Sequence, residues 1–253
     1  MSRPIALVTG VGRAIAIAAG IVDRLAADGW DIAMTYWSAY DARMPWGRAP
    51  AEVAAVETAA RAHGGRVLSL EADLADQEAP ARLFDAVETQ LGPITALVLS
   101  HAESVDSGII DTTVESFDRH FAVNARANWL LIREFANRFE GAPGTGRIVA
   151  LTSDHTAFNL PYGASKGALD RIVMAASREL AGRGITSNVV NPGPINTGWM
   201  TPELESELSA ATPAGRLGTP RDTAALIAFL LSDGGGWING QLLKSDGGFS
   251  AKG

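Results

Sequence analysis

Tyr162 and Lys166, in Tyr162-Gly-Ala-Ser-Lys166, are the two residues whose types and spacing suggest chemistry most directly. On a helix, residues four apart share a face, so the ammonium would stand beside the phenol, favour the phenolate and lower the tyrosine pKa. A tyrosine tuned in this way passes a proton near neutral pH. The same pair on an exposed helix would be a surface contact only, so the reading depends on what surrounds it. A second candidate lies near the start of the chain. Thr9-Gly10-Val11-Gly12-Arg13 follows a short apolar run and precedes a helical stretch that continues to about Asp28. Glycines in a strand-turn-helix let the backbone approach a pyrophosphate, whose charge the N–H groups of the helix start favour. A tight turn before a helix needs glycine for steric reasons as well.

Elements of two kinds must hold these residues. Short β-rich runs recur at Ile5 to Thr9, Asp31 to Thr35, Arg66 to Glu71, Ala96 to Ser100, Arg147 to Thr152, Thr186 to Val190 and Gln241 to Lys244, with helical apolar spacing between them. Several runs are apolar on consecutive residues, which predicts a parallel sheet covered by helices on both faces. Pro50 opens a helix running to His63, and Thr113 is the expected N-cap of a helix over Val114 to Phe139. Two longer irregular stretches, Tyr36 to Arg48 and Pro192 to Leu217, are expected near ligand.

Composition limits the function classes. The chain has 253 residues, 47% of them hydrophobic, as a globular protein requires. Its net charge of -7 would repel nucleic acid and anionic lipid. It has no cysteine, which excludes disulfides, thiolate nucleophiles and cysteine-type metal sites. The apolar run at the N-terminus is too short for a signal-peptide core or a bilayer span, so a soluble, cytoplasmic protein is expected.

Taken together, these pieces resemble the short-chain dehydrogenase/reductase superfamily from Ile5 to Gly248. The matching segments are the Thr9-Gly10 loop, Asp73-Leu74, Phe121-Ala-Val-Asn124, Ile148-Val-Ala-Leu-Thr-Ser153, Tyr162-x-x-x-Lys166, Asn191-Pro-Gly193, Gly215-Arg-Leu-Gly218 with Pro220, and Gly240-Gln241 through Asp246-Gly-Gly248. The resemblance implies one α/β domain over 1–253, a Rossmann-type three-layer sandwich with a seven-stranded parallel sheet flanked by helices, and a substrate lid at 193–217. It implies Tyr162 as acid/base, Lys166 holding the nicotinamide ribose, Ser153 on the substrate oxygen and Asn124 supporting a proton-relaying water. It also implies cofactor contacts from Gly10, Gly12, Arg13, Ile17, Asp73, Leu74, Ser100, Pro192, Gly193, Ile195 and Thr197, with Tyr162 and Lys166. No metal is required. A homotetramer is implied, built on the helices around Val114 to Phe139 and Tyr162 to Ala181.

Three features depart from the family pattern. Asn-Asn-Ala-Gly after the fourth strand is Ser100-His101-Ala102-Glu103 here. Ser153 lies only nine residues before Tyr162, which makes Thr152 its rival. Ala16 and Ala18 stand where glycines are expected, in a loop that reads as longer and looks like the enoyl reductase branch. The second strand ends without an obvious acidic residue, and Arg13, Arg43 and Arg48 tilt the coenzyme expectation to NADP over NAD. Asp41, folded back, would instead select NAD. Asp73 would meet the adenine ring or cap a helix, and Trp199 and Met200 would wall an apolar pocket or pack on their own helix. The expected activity is hydride transfer between a ketone, 3-oxoacyl thioesters included, and a secondary alcohol. The alternative is a catalytically weak nucleotide-binding sensor or scaffold on the same fold.

Overall fold

In the computed structural model, which describes residues 3–48 and 50–251, strands and helices alternate along the chain. The order is β1 (Ile5–Val8), α1 (Ile17–Ala27), β2 (Asp31–Tyr36), the single turn α2 (Ser38–Asp41), α3 (Pro50–Arg61), β3 (Val67–Glu71), α4 (Ala79–Gln90) and β4 (Ala96–Leu99). The second half runs α5 (Val114–Phe121), a π-helical turn (Ala122–Arg126), α6 (Ala127–Arg138), β5 (Gly146–Leu151), α7 (Leu160–Glu179), β6 (Ile185–Asn191), α8 (Pro202–Ala211), α9 (Pro220–Leu231) and β7 (Leu242–Lys244).

The seven strands form one sheet in the order β3-β2-β1-β4-β5-β6-β7, and every pairing is parallel. Alternation along each strand divides the apolar residues between two cores. Ala6, Val8, Ile32, Met34, Val98 and Val190 face α1, α3 and α9. Leu7, Ala33, Leu97, Leu99, Ile148 and Val189 face α4, α6 and α7. Runs apolar at consecutive positions are therefore what a strand buried on both faces needs. This is the Rossmann-type sandwich expected from the sequence, with boundaries shifted by a residue or two. The chain winds outward from β1 to β3 and returns to β4 on the other side, so a crevice opens between the carboxyl ends of β1 and β4.

The Val114 to Phe139 stretch, read as one helix, is divided by the π turn. Thr113 caps it as expected, its hydroxyl accepting from the Ser116 N–H at 3.1 Å. The π turn carries Asn124, and the Asn128 side chain donates to the Asn124 carbonyl at 2.7 Å. Such turns are frequent at functional sites because the extra residue re-aims a side chain. Of the two irregular stretches, the first contains α2 and the second contains α8, a helix none of whose residues is buried.

Candidate active site and cofactor cleft

The catalytic candidates converge at the carboxyl end of β5 and the start of α7. Lys166 is 2% exposed and donates to the Leu151 carbonyl at 2.9 Å, which anchors it to the strand end. Its Nζ lies 5.7 Å from the centre of the Tyr162 ring. Ser153 is half-buried, with its hydroxyl close enough to the Tyr162 phenol to influence its ionisation, whereas Thr152 is buried and turned toward Asp170. Between the two rivals, Ser153 is the residue on the side of the phenol. Asn124 is fully committed: its Oδ1 accepts from the Glu103 N–H at 2.7 Å, and its Nδ2 donates to the Glu103 carbonyl at 2.8 Å and to Ser165 Oγ at 2.9 Å. It pins the turn after β4 to α7.

The electrostatics correct one expectation from the sequence. Burial pushes the Tyr162 phenol up to about 12, and the Ser153 hydrogen bond opposes this without reversing it. Burial also brings Lys166 down to about 8, with Asp170 working in the opposite direction. Spacing places a cation near the phenol, but desolvation disfavours both charged forms and outweighs the attraction between them. The pair therefore rests as a neutral phenol beside an ammonium that loses its charge above about 8.

A cleft of about 680 Å³ opens at the β1–β4 crevice. Gly10, Gly12, Arg13, Asp73, Leu74 and Ser100 line it, as the sequence suggests. Gly10 has φ +83°, and a Cβ there would stand 2.7 Å from the His101 Cα, so only glycine lets the loop pass this close to β4. The start of α1 has no side-chain cap and no acidic residue in its first turn. The Glu52 carboxylate accepts from the Ala14 N–H at 2.8 Å, so the loop already receives an anionic oxygen. Open helix-start N–H groups, an anion-accepting loop and a long cleft fit a dinucleotide.

Other expected contacts fall elsewhere. Ile17 begins α1 and packs on the core instead of lining the cleft. Ala18 is buried within α1, so of the two alanines in question only Ala16 faces the cleft. Tyr162, Lys166, Pro192, Gly193, Ile195 and Thr197 lie outside the cleft lining. Thr197 is joined to it through Arg13, whose Nη1 donates to the Thr197 carbonyl at 2.7 Å. His155 is exposed, its ring 6.4 Å from that of Tyr162. Asp73 lines the cleft, and it caps no helix: its carboxylate accepts from the Ala75 N–H at 2.9 Å within the turn before α4, whose N-cap is Glu78.

Sequence reasoning missed two clusters. In the first, Glu103, where the family has glycine, is buried between Arg43 (3.0 Å) and Arg119 (3.4 Å), and Arg119 also pairs with Asp73 and stands 4.4 Å from the centre of the Trp37 ring. In the second, Arg13 stacks on Trp46 at 3.8 Å, Trp46 donates to Asp41 at 2.9 Å and meets Trp199 edge-on at 4.5 Å. The only signal for the first was the departure at Glu103; for the second it was the tryptophans in the two irregular stretches.

A family model described as Enoyl-(Acyl carrier protein) reductase matches residues 10–250. The chain belongs to the short-chain dehydrogenase/reductase superfamily. It is 38% identical to the uncharacterized oxidoreductase YjdA of Bacillus subtilis, over 97% of this chain and 96% of that protein. It is 36% identical to a chloroplastic NADPH-dependent aldehyde reductase-like protein of Arabidopsis thaliana, over 97% and 93%. Among solved structures, a blue fluorescent protein from a metagenomic library, in complex with NADPH, superposes with a TM-score of 0.87 at 34% identity over 99% of both chains. A short-chain dehydrogenase from Burkholderia cenocepacia in complex with NADP gives 0.86 at 32% identity, over 99% of this chain and 98% of that one. This short-chain dehydrogenase/reductase is an oxidoreductase, and no helix among its described residues is long and apolar enough to cross a membrane.

Proposed function

We propose that this chain is an NADPH-dependent carbonyl reductase in which Tyr162 gives its proton to the substrate oxygen. The observation that carries the reading is the convergence of three side chains at the end of β5 and the start of α7: Lys166, anchored on the Leu151 carbonyl, stands 5.7 Å from the centre of the half-buried Tyr162 ring, with Ser153 beside the phenol. A general acid must hold its proton before the reaction, and this one does. NADPH, when bound, supplies the hydride that goes to the carbonyl carbon. Ser153 and Tyr162 donate hydrogen bonds where negative charge gathers on oxygen, and so favour the transition state over the bound carbonyl. Lys166, anchored on Leu151, holds the ribose side, while Asn124 fixes the turn after β4. The open start of α1 and the Gly10–Arg13 loop would hold the diphosphate, and Asp73 and Leu74 the adenine side.

NADPH is the preferred coenzyme in this reading because Arg13 lines the cleft and Arg43 and Arg119 pair with its lining residue Glu103; Asp41 also lines it and would favour NADH. Residues 193–217 act as the substrate lid, since α8 packs loosely and Trp199 reaches across to Trp46. Ketones and aldehydes are the substrate class. Half-exposed Trp129 on α6, beside a groove between α6 and α7, is the face on which copies of the chain would assemble into a homotetramer.

The pH dependence of reduction tests the reading. With NADPH and a panel of aromatic aldehydes and ketones, kcat/KM stays level through neutral pH, where Tyr162 is protonated and Lys166 charged. It falls as pH rises through about 8, where Lys166 discharges. A rate that climbs through that range would mean that the phenolate is the active form and would reverse the assigned direction.

A further inference from the structure

Behind the catalytic pair, the same face of α7 carries a third ionisable side chain. Asp170 follows Lys166 by four residues, as Lys166 follows Tyr162, on the uninterrupted helix from Leu160 to Glu179. The three therefore stand in a row, each about 5–6 Å from the next at Cβ. Carbonyl reduction does not itself call for this carboxylate. Lys166, by contrast, has a need that the rest of the site leaves unmet. An ammonium has three donors, and among the described residues its hydrogen bond is to the Leu151 carbonyl. A buried cation without a counter-charge gives up its proton.

Two further atoms point the same way. Asp170 Oδ1 and Thr152 Oγ1 are buried with no hydrogen-bond partner among the described residues. The hydroxyl stands near enough to favour the carboxylate, although outside direct hydrogen-bond distance. Buried polar atoms are expensive to leave unpaired, and these two flank α7 one turn beyond Lys166, near enough for the carboxylate to act on the ammonium through its field without a direct ion pair.

We propose that Asp170 is a positioning residue of the acid–base pair, its carboxylate steadied by Thr152 and serving as the counter-charge that keeps the Lys166 ammonium charged behind Tyr162. Its catalytic meaning rests on the reading of Tyr162 and Lys166 given above. The balance of influences agrees with the placement. Burial lowers Lys166 and Asp170 opposes it, while burial raises Asp170 on balance, with Thr152, Lys166 and Arg171 opposing the rise. The ionisable groups around Lys166 are Tyr162 and Asp170 on its own helix and His101 from the turn after β4; Arg171 faces Asp170. His101 is neutral near pH 7 and brings no charge, so Asp170 is the acidic side chain that acts on Lys166.

The chain has three lysines, Lys166, Lys244 and Lys252, so carbon-13 labelling of lysine resolves each ε-methylene in a pH titration of the protein alone. Lys166 should titrate near 8 in the wild type and about one pH unit lower in Asp170→Asn, with Lys244 unmoved. Asp170→Glu, which keeps the charge, should restore most of the difference, and thermal unfolding of both variants shows whether each is folded. In Asp170→Asn the alkaline limb of NADPH-dependent reduction of 4-nitrobenzaldehyde should move down with the Lys166 midpoint. An unmoved midpoint, or one displaced as far by Glu as by Asn, overturns the proposal. If reduction depends on Tyr162 while the midpoint ignores Asp170, this inference alone falls. If the midpoint follows Asp170 but the wild type reduces no carbonyl, the functional reading fails, and the catalytic meaning of Asp170 fails with it.

Discussion

His101 Nδ1 lies 2.7 Å from the Thr9 hydroxyl, and the same ring reaches the Val123 carbonyl through Nε2 at 3.0 Å. One side chain thus joins the end of β1, the turn after β4 and the π turn that carries Asn124. Because Nε2 faces a carbonyl it carries the proton, leaving Nδ1 to accept from Thr9. Where the family has asparagine, a neutral imidazole braces the sheet. Burial first, then the Lys166 charge, brings His101 down to about 3. A base depressed in the folded state binds fewer protons folded than unfolded. Stability is therefore complete above the unfolded value of about 6.5 and is lost as pH falls below it. Urea unfolding at pH 7 and pH 5 should show a marked loss in the wild type and a smaller one in His101→Asn, which cannot take up that proton. Equal losses would show that His101 is not the group responsible.

Glu103, which lines the cleft, pairs with Arg43 and Arg119 behind it, and a 2′-phosphate would compete for them. Glu103→Gln removes the competing charge and should raise the preference for NADPH over NADH about tenfold, equivalent to about 1.4 kcal/mol. The ratio of coenzyme dissociation constants measures this. An unchanged ratio would mean that these arginines do not meet the phosphate.

Arg13, Trp46 and Trp199 connect the glycine loop to the proposed lid through a cation–π stack and an edge-on aromatic contact. Such contacts contribute about 0.5–2 kcal/mol each. Trp46→Ala should weaken NADPH binding by about threefold to thirtyfold and speed its release in stopped-flow fluorescence, without altering the Tyr162-dependent step in single turnover. Release at the wild-type rate would remove the latch from the account.

In the proposed homotetramer, copies of the chain meet at the exposed α6 face. Trp129→Glu should lower the mass measured by light scattering after gel filtration, because a buried unpaired carboxylate costs more than one interface tolerates. An unchanged mass would place the interface elsewhere.

Much of this fold could be read from the sequence because its strands are buried on both faces, and Ala96-Leu-Val-Leu99 can hardly be anything else between two helical stretches. The Tyr162–Lys166 pair was legible for a related reason: spacing on a helix fixes neighbours. What stayed hidden depends on distance along the chain. The brace from His101 ends on Val123, twenty-two residues away, in a π turn with no local sequence signature. Arg119 reaches the cleft residues Asp73 and Glu103 from α5, far from the loops where cofactor arginines were sought. The phenol's resting state was misjudged because spacing reports the nearness of a cation but not how much water burial removes.

The central claim is that Tyr162 delivers the proton, and its most direct test is the rate of NADPH oxidation by Tyr162→Phe in the presence of a carbonyl substrate that the wild type reduces. The variant should fold and bind NADPH as the wild type does, while kcat falls about 10²–10⁴-fold. A variant that turns over within a few-fold of the wild type would contradict the account.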